Sequence, residues 1–147
     1  MTRPDRPIAQ ECVEGYLYAL PPVELLIFRR RPERGRIWVP IQGKVEPTDA
    51  DFESALRREL AEETGLSGPR KVWSLDWHVP FEMDGALWRL HAYAVEVERA
   101  FAPVLNDEHD AFEWVPADEA VRRLHFEDNR AAVARLLERL PATSQSL

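Results

Sequence analysis

The sequence predicts an α+β protein, an α/β/α sandwich around a mixed central β-sheet, and three observations lead there. Short extended runs rich in Val, Leu, Ile, Tyr and Phe recur along most of the 147 residues. A single helix-period segment interrupts them before Gly65, and a second helical region closes the chain over residues 116–140. One helix between strands and another after the last strand suit a sheet covered on both faces.

The elements follow in order. Residues 12–20 and 23–30 read as two strands around Pro21-Pro22, a pair suited to a hairpin. Residues 37–41 form a short extended run broken by Pro40, which delivers the chain to Gly43, where a loop can approach a ligand closely. Thr48 or Asp49 caps the middle helix and Gly65 ends it. Strands at 71–79 and 86–97 flank a loop containing Met83-Asp84-Gly85, and Trp88, Leu90, Ala92 and Ala94 alternate as in a half-buried strand. A last strand is expected at 111–115 and a helix from Pro116 to Leu124. The strongest amphipathic helix follows at 128–140, with Ala131, Val133, Ala134, Leu136, Leu137 and Leu140 apolar.

Composition narrows the class. The length suits one domain over 1–147, with loose termini at about 1–10 and 141–147. There is no apolar run long enough for a signal peptide or a membrane span, so no membrane partner is expected. The single cysteine, Cys12, has no partner for an internal disulfide and fits a reducing cytoplasm. A net charge of −7 disfavours polymeric nucleic acid and leaves room for a small anionic substrate. The chain is expected to act as a monomer or a homodimer.

The most informative stretch is residues 43–66, GKVEPTDADFESALRRELAEETGL. At about 100° per residue, Glu59, Glu62 and Glu63 leave one side of a helix, in the angular sector of Phe52, Ala55 and Leu56. Three acids on the apolar side are expected to look inward. Like charges that close repel, and an inward oxygen-only cluster matches a hard divalent cation, Mg2+ or Mn2+. Zinc would call for His or Cys, and neither is near in sequence.

These residues resemble the Nudix box, G-x5-E-x7-R-E-U-x-E-E-x-G-U with U aliphatic. Gly43 stands at the opening glycine, and Arg58, Glu59, Leu60, Glu62, Glu63, Gly65 and Leu66 match the second half in order. The first half departs twice: Asp49 replaces a glutamate, and eight residues instead of seven separate it from Arg58. An extra residue within the helix would rotate all that follows by about 100°, which places it in the loop around 48–51. The resemblance implies a Nudix fold and hydrolysis of a phosphoric anhydride bond. It implies metal ligation by Glu59 and Glu63, by Glu62 as ligand or general base, and by the Gly43 carbonyl. The first acid is expected to brace Arg58, with Asp49 and Asp51 both placed to do so.

A second resemblance lies in NDEHDAFEWVPADEA, where Glu108-His109 precedes Trp114 as in an E-H-x-x-x-x-W segment of bacterial dATP pyrophosphohydrolases and diadenosine tetraphosphate hydrolases. It makes Glu108 a candidate ligand or catalytic base, while His109 reads as an exposed loop residue. The diadenosine tetraphosphate group usually carries a lysine before the box glycine, where this chain has Gln42. The expected reaction is therefore cleavage of a nucleoside triphosphate to monophosphate and diphosphate. The alternatives are a dinucleoside polyphosphate hydrolase, or a Nudix module that binds a nucleotide without cleaving it. Substrate contacts are expected from Trp38, by stacking on a base, and from Arg29 and Arg31 in the basic run 29–36.

Overall fold

The computed structural model describes residues 6–141. At its centre, β1 (Gln10–Ala19) and β2 (Glu24–Arg30) are buried on both faces, so neighbouring positions serve different layers. Val13 and Leu17 of β1, with Leu26 and Phe28 of β2, face one layer. Tyr16, Tyr18, Leu25 and Ile27 face the other. The unbroken run Leu25-Leu26-Ile27-Phe28 is the sequence mark of that double burial.

The remaining strands are β3 (Trp38–Val39), β4 (Ile41–Lys44), β5 (Lys71–Met83), β6 (Ala86–Glu96) and β7 (His109–Pro116). All seven form one mixed sheet: the path β3-β2-β1-β6-β5 is extended by β4 pairing with β1 and β7 with β2. Only β1 and β6 run parallel; the other pairs are antiparallel. Helix α1 (Phe52–Thr64) covers the first layer through Ala55, Leu56 and Leu60. Helices α2 (Ala117–Arg123) and α3 (Glu127–Arg139) cover the second, where Ala132, Val133 and Leu136 are fully buried. The expected sandwich is thus the observed one. Among the described residues no helix is long and apolar enough to cross a membrane.

Four expectations need correction. The cap of α1 is Asp51, whose Oδ1 accepts from the Ser54 amide at 2.7 Å, in place of Thr48 or Asp49. The 83–85 segment is no open loop: Met83 pairs with Ala86, and Asp84 and Gly85 both have positive φ, 50° and 78°, as a two-residue hairpin of the Asp-Gly kind requires. The last strand begins earlier than expected, at His109. Residues 6–9 are not loose, and Gln10 already belongs to β1. Arg6 pairs with Glu82 at 2.5 Å, and the Ala9 amide donates to the Leu87 carbonyl at 2.7 Å, because the chain enters alongside β6. The expected looseness at 1–5 and 142–147 lies outside the described residues.

Candidate active site

The site is built where β4 hands the chain to α1. Gly43 pairs with Val13 of β1, and a Cβ built on it would lie 2.1 Å from Cδ and 2.3 Å from Oε1 of Glu59. The loop backbone therefore rests against the Glu59 carboxylate, and any larger residue would push that carboxylate aside. Asp49 meets Arg58 with both oxygens, Oδ1 to Nε at 3.0 Å and Oδ2 to Nη2 at 2.9 Å. The guanidinium holds Asp49 below the usual carboxylate range. Asp51 does not compete, being occupied with the cap. The extra residue is absorbed in the loop, so the shorter acid still reaches its arginine.

Arg58 carries further bonds. Its Nη2 donates to the Lys44 carbonyl at 2.9 Å, and Nη1 donates to Glu59 Oε1 at 2.8 Å and to Glu62 Oε2 at 3.4 Å. One guanidinium thereby ties the loop, the end of β4 and two box acids together. Burial and surroundings separate the three glutamates. The Glu63 residue is 3% exposed, while the Glu62 side chain is 55% exposed and on the flank. The expectation that all three look inward fails for Glu62, since one residue turns the helix by about 100° from Glu63.

Glu63 is the most strained of these acids electrostatically. Burial, then the Glu59 carboxylate bonded to it, then the charges of Glu108 and Glu62 push its carboxyl up to about 10. Its nearest imidazole gives no counter-charge. His109 Nδ1 lies 3.8 Å from Glu63 Oε1, and burial with Arg30 and Arg34 nearby holds that imidazole down to about 4. His109 is 4% exposed and its Nδ1 has no hydrogen-bond partner, which corrects the reading of an exposed loop histidine. An acid pushed to keep its proton among other acids fits a divalent cation, and a set dominated by carboxylate oxygens, with the His109 imidazole beside it, suits a hard one. Nudix hydrolases generally use such metals. Among the described residues no three His, Cys, Asp or Glu side chains already form a cage for an ion, because Glu59 and Glu62 turn toward Arg58.

A cleft of about 620 Å³ opens above Glu59 and Glu63. Gly43, Glu108 and His109 line it with them, so the structure brings together both ends of the motif reading. Glu108, whose side chain is 46% exposed, stands 3.6 Å from Arg34. Pairing of Arg30 with His109 across β2 and β7 brings this corner together.

The expected substrate contacts lie elsewhere. Trp38 packs against the core under α2 and α3, with the Arg123 guanidinium 4.5 Å and the Arg29 guanidinium 5.9 Å from its ring centre. Arg29 itself pairs with Asp110 at 2.8 Å. Neither these nor Arg31, Glu62 or Arg58 line the cleft; the cations that do are Arg30, Arg34 and Lys44. A register shift between Arg29 and Arg30 sets which arginine turns in, a feature a basic run does not show. Lys44 was marked only by following the box glycine. Trp88, also in the cleft wall, has only strand alternation to mark it in the sequence, and Phe81 lies beyond the expected end of its strand at residue 79.

Over 119 residues the chain is 39% identical to an octanoyltransferase of Myxococcus xanthus, a match covering 78% of this chain and 32% of that protein; the chain spans about a third of that relative's length. It is 33% identical over 105 residues to the asymmetrical bis(5'-nucleosyl)-tetraphosphatase of Sus scrofa, covering 65% of this chain and 67% of that one. The E. coli dihydroneopterin triphosphate pyrophosphohydrolase shares the fold, with a TM-score of 0.77 at 18% identity over 91% of this chain and 100% of that one. The NUDIX domain model matches residues 20–137, and with the box acids, their arginine brace and the sandwich in place, the chain belongs to the NUDIX family, that of the Nudix hydrolases.

Proposed function

We propose that this protein is a divalent-cation-dependent hydrolase of a phosphoric anhydride bond in a nucleotide, releasing monophosphate and diphosphate from a nucleoside triphosphate. One observation carries the reading: Glu59 and Glu63 share a cleft with Arg30, Arg34 and Lys44. Acids alone would repel a polyphosphate, and cations alone would bind it without reaction. Together they suit in-line attack by water, in which negative charge gathers on the phosphoryl oxygens.

Mg2+ or Mn2+, which Glu59 and Glu63 would hold with the Gly43 carbonyl and Glu108, would supply charge neutralisation and a lowered water pKa when bound. The chain's own residues do the rest. Arg30, Arg34 and Lys44 hold phosphate oxygens and orient the chain of phosphates across the acids. Glu108, which lines the cleft, accepts the proton of the attacking water, a role that the flank position of Glu62 does not favour. Arg58 is a positioning residue, keeping Glu59 and the Gly43 loop in place. Cys12, buried and unpaired, fits a cytoplasmic setting.

The identity to the asymmetrical tetraphosphatase favours a second substrate reading, a dinucleoside polyphosphate, which uses the same bond chemistry. A panel of deoxynucleoside and ribonucleoside triphosphates, dinucleoside polyphosphates and ADP-ribose, each with Mg2+ and with products identified, tests both. Release of diphosphate from triphosphates supports the first; asymmetric cleavage of the dinucleotide supports the second. No turnover of any of them, with Glu63→Gln behaving as wild type, would sink the hydrolase reading.

A further inference from the structure

The cleft has two chemically different ends. At one, Arg34 and Glu108 stand 3.6 Å apart and His109 lies 3.8 Å from Glu63. Glu59 follows under Gly43, and then Lys44, whose Nζ lies 5.1 Å from the Trp88 ring centre. Trp88, Phe81 and Met83 make the far end. Apart from Asp84 in the hairpin turn, charge thus gives way to aromatic surface along one groove, and Lys44 marks the border.

Sheet register explains the far end. Phe81 pairs directly with Trp88 across β5 and β6, so both side chains stand on one face with ring centres 6.0 Å apart. They are on the face that α3 covers further along, as Leu90, Ala92 and Ala94 alternate with the residues between them and Ala92 and Ala94 belong to the α3-side core. Here the helix no longer covers them. Both rings are half buried, and Met83, just before the tight turn, is 42% exposed. Among the described residues no helix covers this surface, and it continues into the cations and acids of the same cleft.

We infer that Trp88, with Phe81, is the platform on which the nucleobase stacks, so that the substrate lies with its base at the β5–β6 hairpin and its phosphates running past Lys44 over Glu59 and Glu63 toward Arg30 and Arg34. This rests on the proposed hydrolase reading and deepens it, naming an aromatic base as the feature recognised. A flat π-face accepts any base, so the platform sets affinity for nucleotides over base-free polyphosphates and leaves discrimination among bases weak. The Lys44 ammonium near the Trp88 ring makes the junction between base and phosphate, with the cation facing both.

Equilibrium binding tests this without turnover, using a methylene-bridged nucleoside triphosphate and inorganic tripolyphosphate as probes, with Mg2+ present. Trp88→Ala is expected to weaken nucleotide binding about tenfold to a hundredfold and tripolyphosphate binding by less than about threefold. Trp88→Phe should restore most of the nucleotide affinity, and Phe81→Ala should lose a smaller part of it. Thermal midpoints of each variant separate misfolding from loss of the platform. Nucleotide binding unchanged in Trp88→Ala, or both probes weakened equally in Trp88→Ala and Trp88→Phe, would overturn the inference. A wild type that binds the nucleotide more tightly than tripolyphosphate but hydrolyses no nucleotide would overturn the hydrolase reading while leaving the platform standing.

Discussion

Two buried acids lie on opposite faces of the sheet, and they are held in opposite ways. Glu14, 2% exposed on the α3 side, accepts from the Tyr16 hydroxyl at 2.5 Å and from Asn129 Nδ2 at 3.2 Å. Glu63, 3% exposed on the α1 side, has Glu59, Glu62 and Glu108 for neighbours and a neutral imidazole beside it. Burial raises both carboxyls, Glu14 to about 7 and Glu63 to about 10, but donors moderate the first while acids aggravate the second. The lesson is that burial alone does not make a functional acid. A carboxyl met by donors ties a helix to a sheet; one met by other carboxyls is built for a cation.

The sharpest way to break this contrast is Glu63→Gln. Loss of about 10²–10⁴-fold in kcat/KM is expected with the fold intact, and the thermal midpoint without cation should hold or rise, since a crowded acid has been removed. A midpoint that falls strongly would make Glu63 a structural residue like Glu14. Gly43→Ala comes next, because its Cβ would press on the Glu59 carboxylate at 2.1–2.3 Å. A loss of about 10–100-fold in activity is expected, together with weaker Mg2+-induced thermal stabilisation.

The Glu14 side predicts the reverse pattern. Glu14→Leu leaves the Tyr16 hydroxyl without its acceptor and the Asn129 amide with the Tyr16 oxygen alone, and should cost about 1–3 kcal/mol of stability in denaturant titration. Glu14→Gln, which keeps an acceptor, should cost less, and neither variant should remove the Mg2+ response. Loss of that response would merge the two acids into one system.

The smallest effect is the slope of stability with pH, at most about 1.4 kcal/mol per pH unit for one proton. A carboxyl raised from 4.5 to about 10 keeps its proton in the folded chain where the unfolded chain has lost it, so its stabilisation is full below 4.5 and is lost as pH rises toward 10. Glu14 acts in the same direction from 4.5 to about 7, and His109, lowered from 6.5 to about 4, acts in the opposite direction between those values. Between pH 7 and 9 Glu63 therefore dominates. Without divalent cation stability should fall across that window, and Mg2+ should stabilise more at pH 9 than at pH 7, because the cation takes the deprotonated acid. A flat profile without cation would contradict the assigned crowding.

The two acids also differ in how far they can be read from the chain. Glu63 is legible because every element of its motif is local: spacing in α1, a glycine before it and a glycine after it. Glu14 offers no such mark, since its partners are two residues away on the same strand and on α3, at Asn129. The residues expected to touch substrate lie outside the cleft wall for a related reason. Trp38 is as aromatic as Trp88, and Arg29 as basic as Arg30, but strand pairing turns one of each pair toward the cleft and leaves the other outside its wall.

By itself the sequence determined the helix with its acids, the stop at Gly65, the first two strands around Pro21-Pro22 and the family pattern, because each depends on periodicity or backbone freedom within one segment. It did not determine that Asp51 would cap while Asp49 braces Arg58, that His109 would be buried beside Glu63, or that Trp88 would face the cleft. Those were decided by tertiary structure, since each depends on which strand lies beside which and on a register whose shift by one residue exchanges the two faces of the sheet.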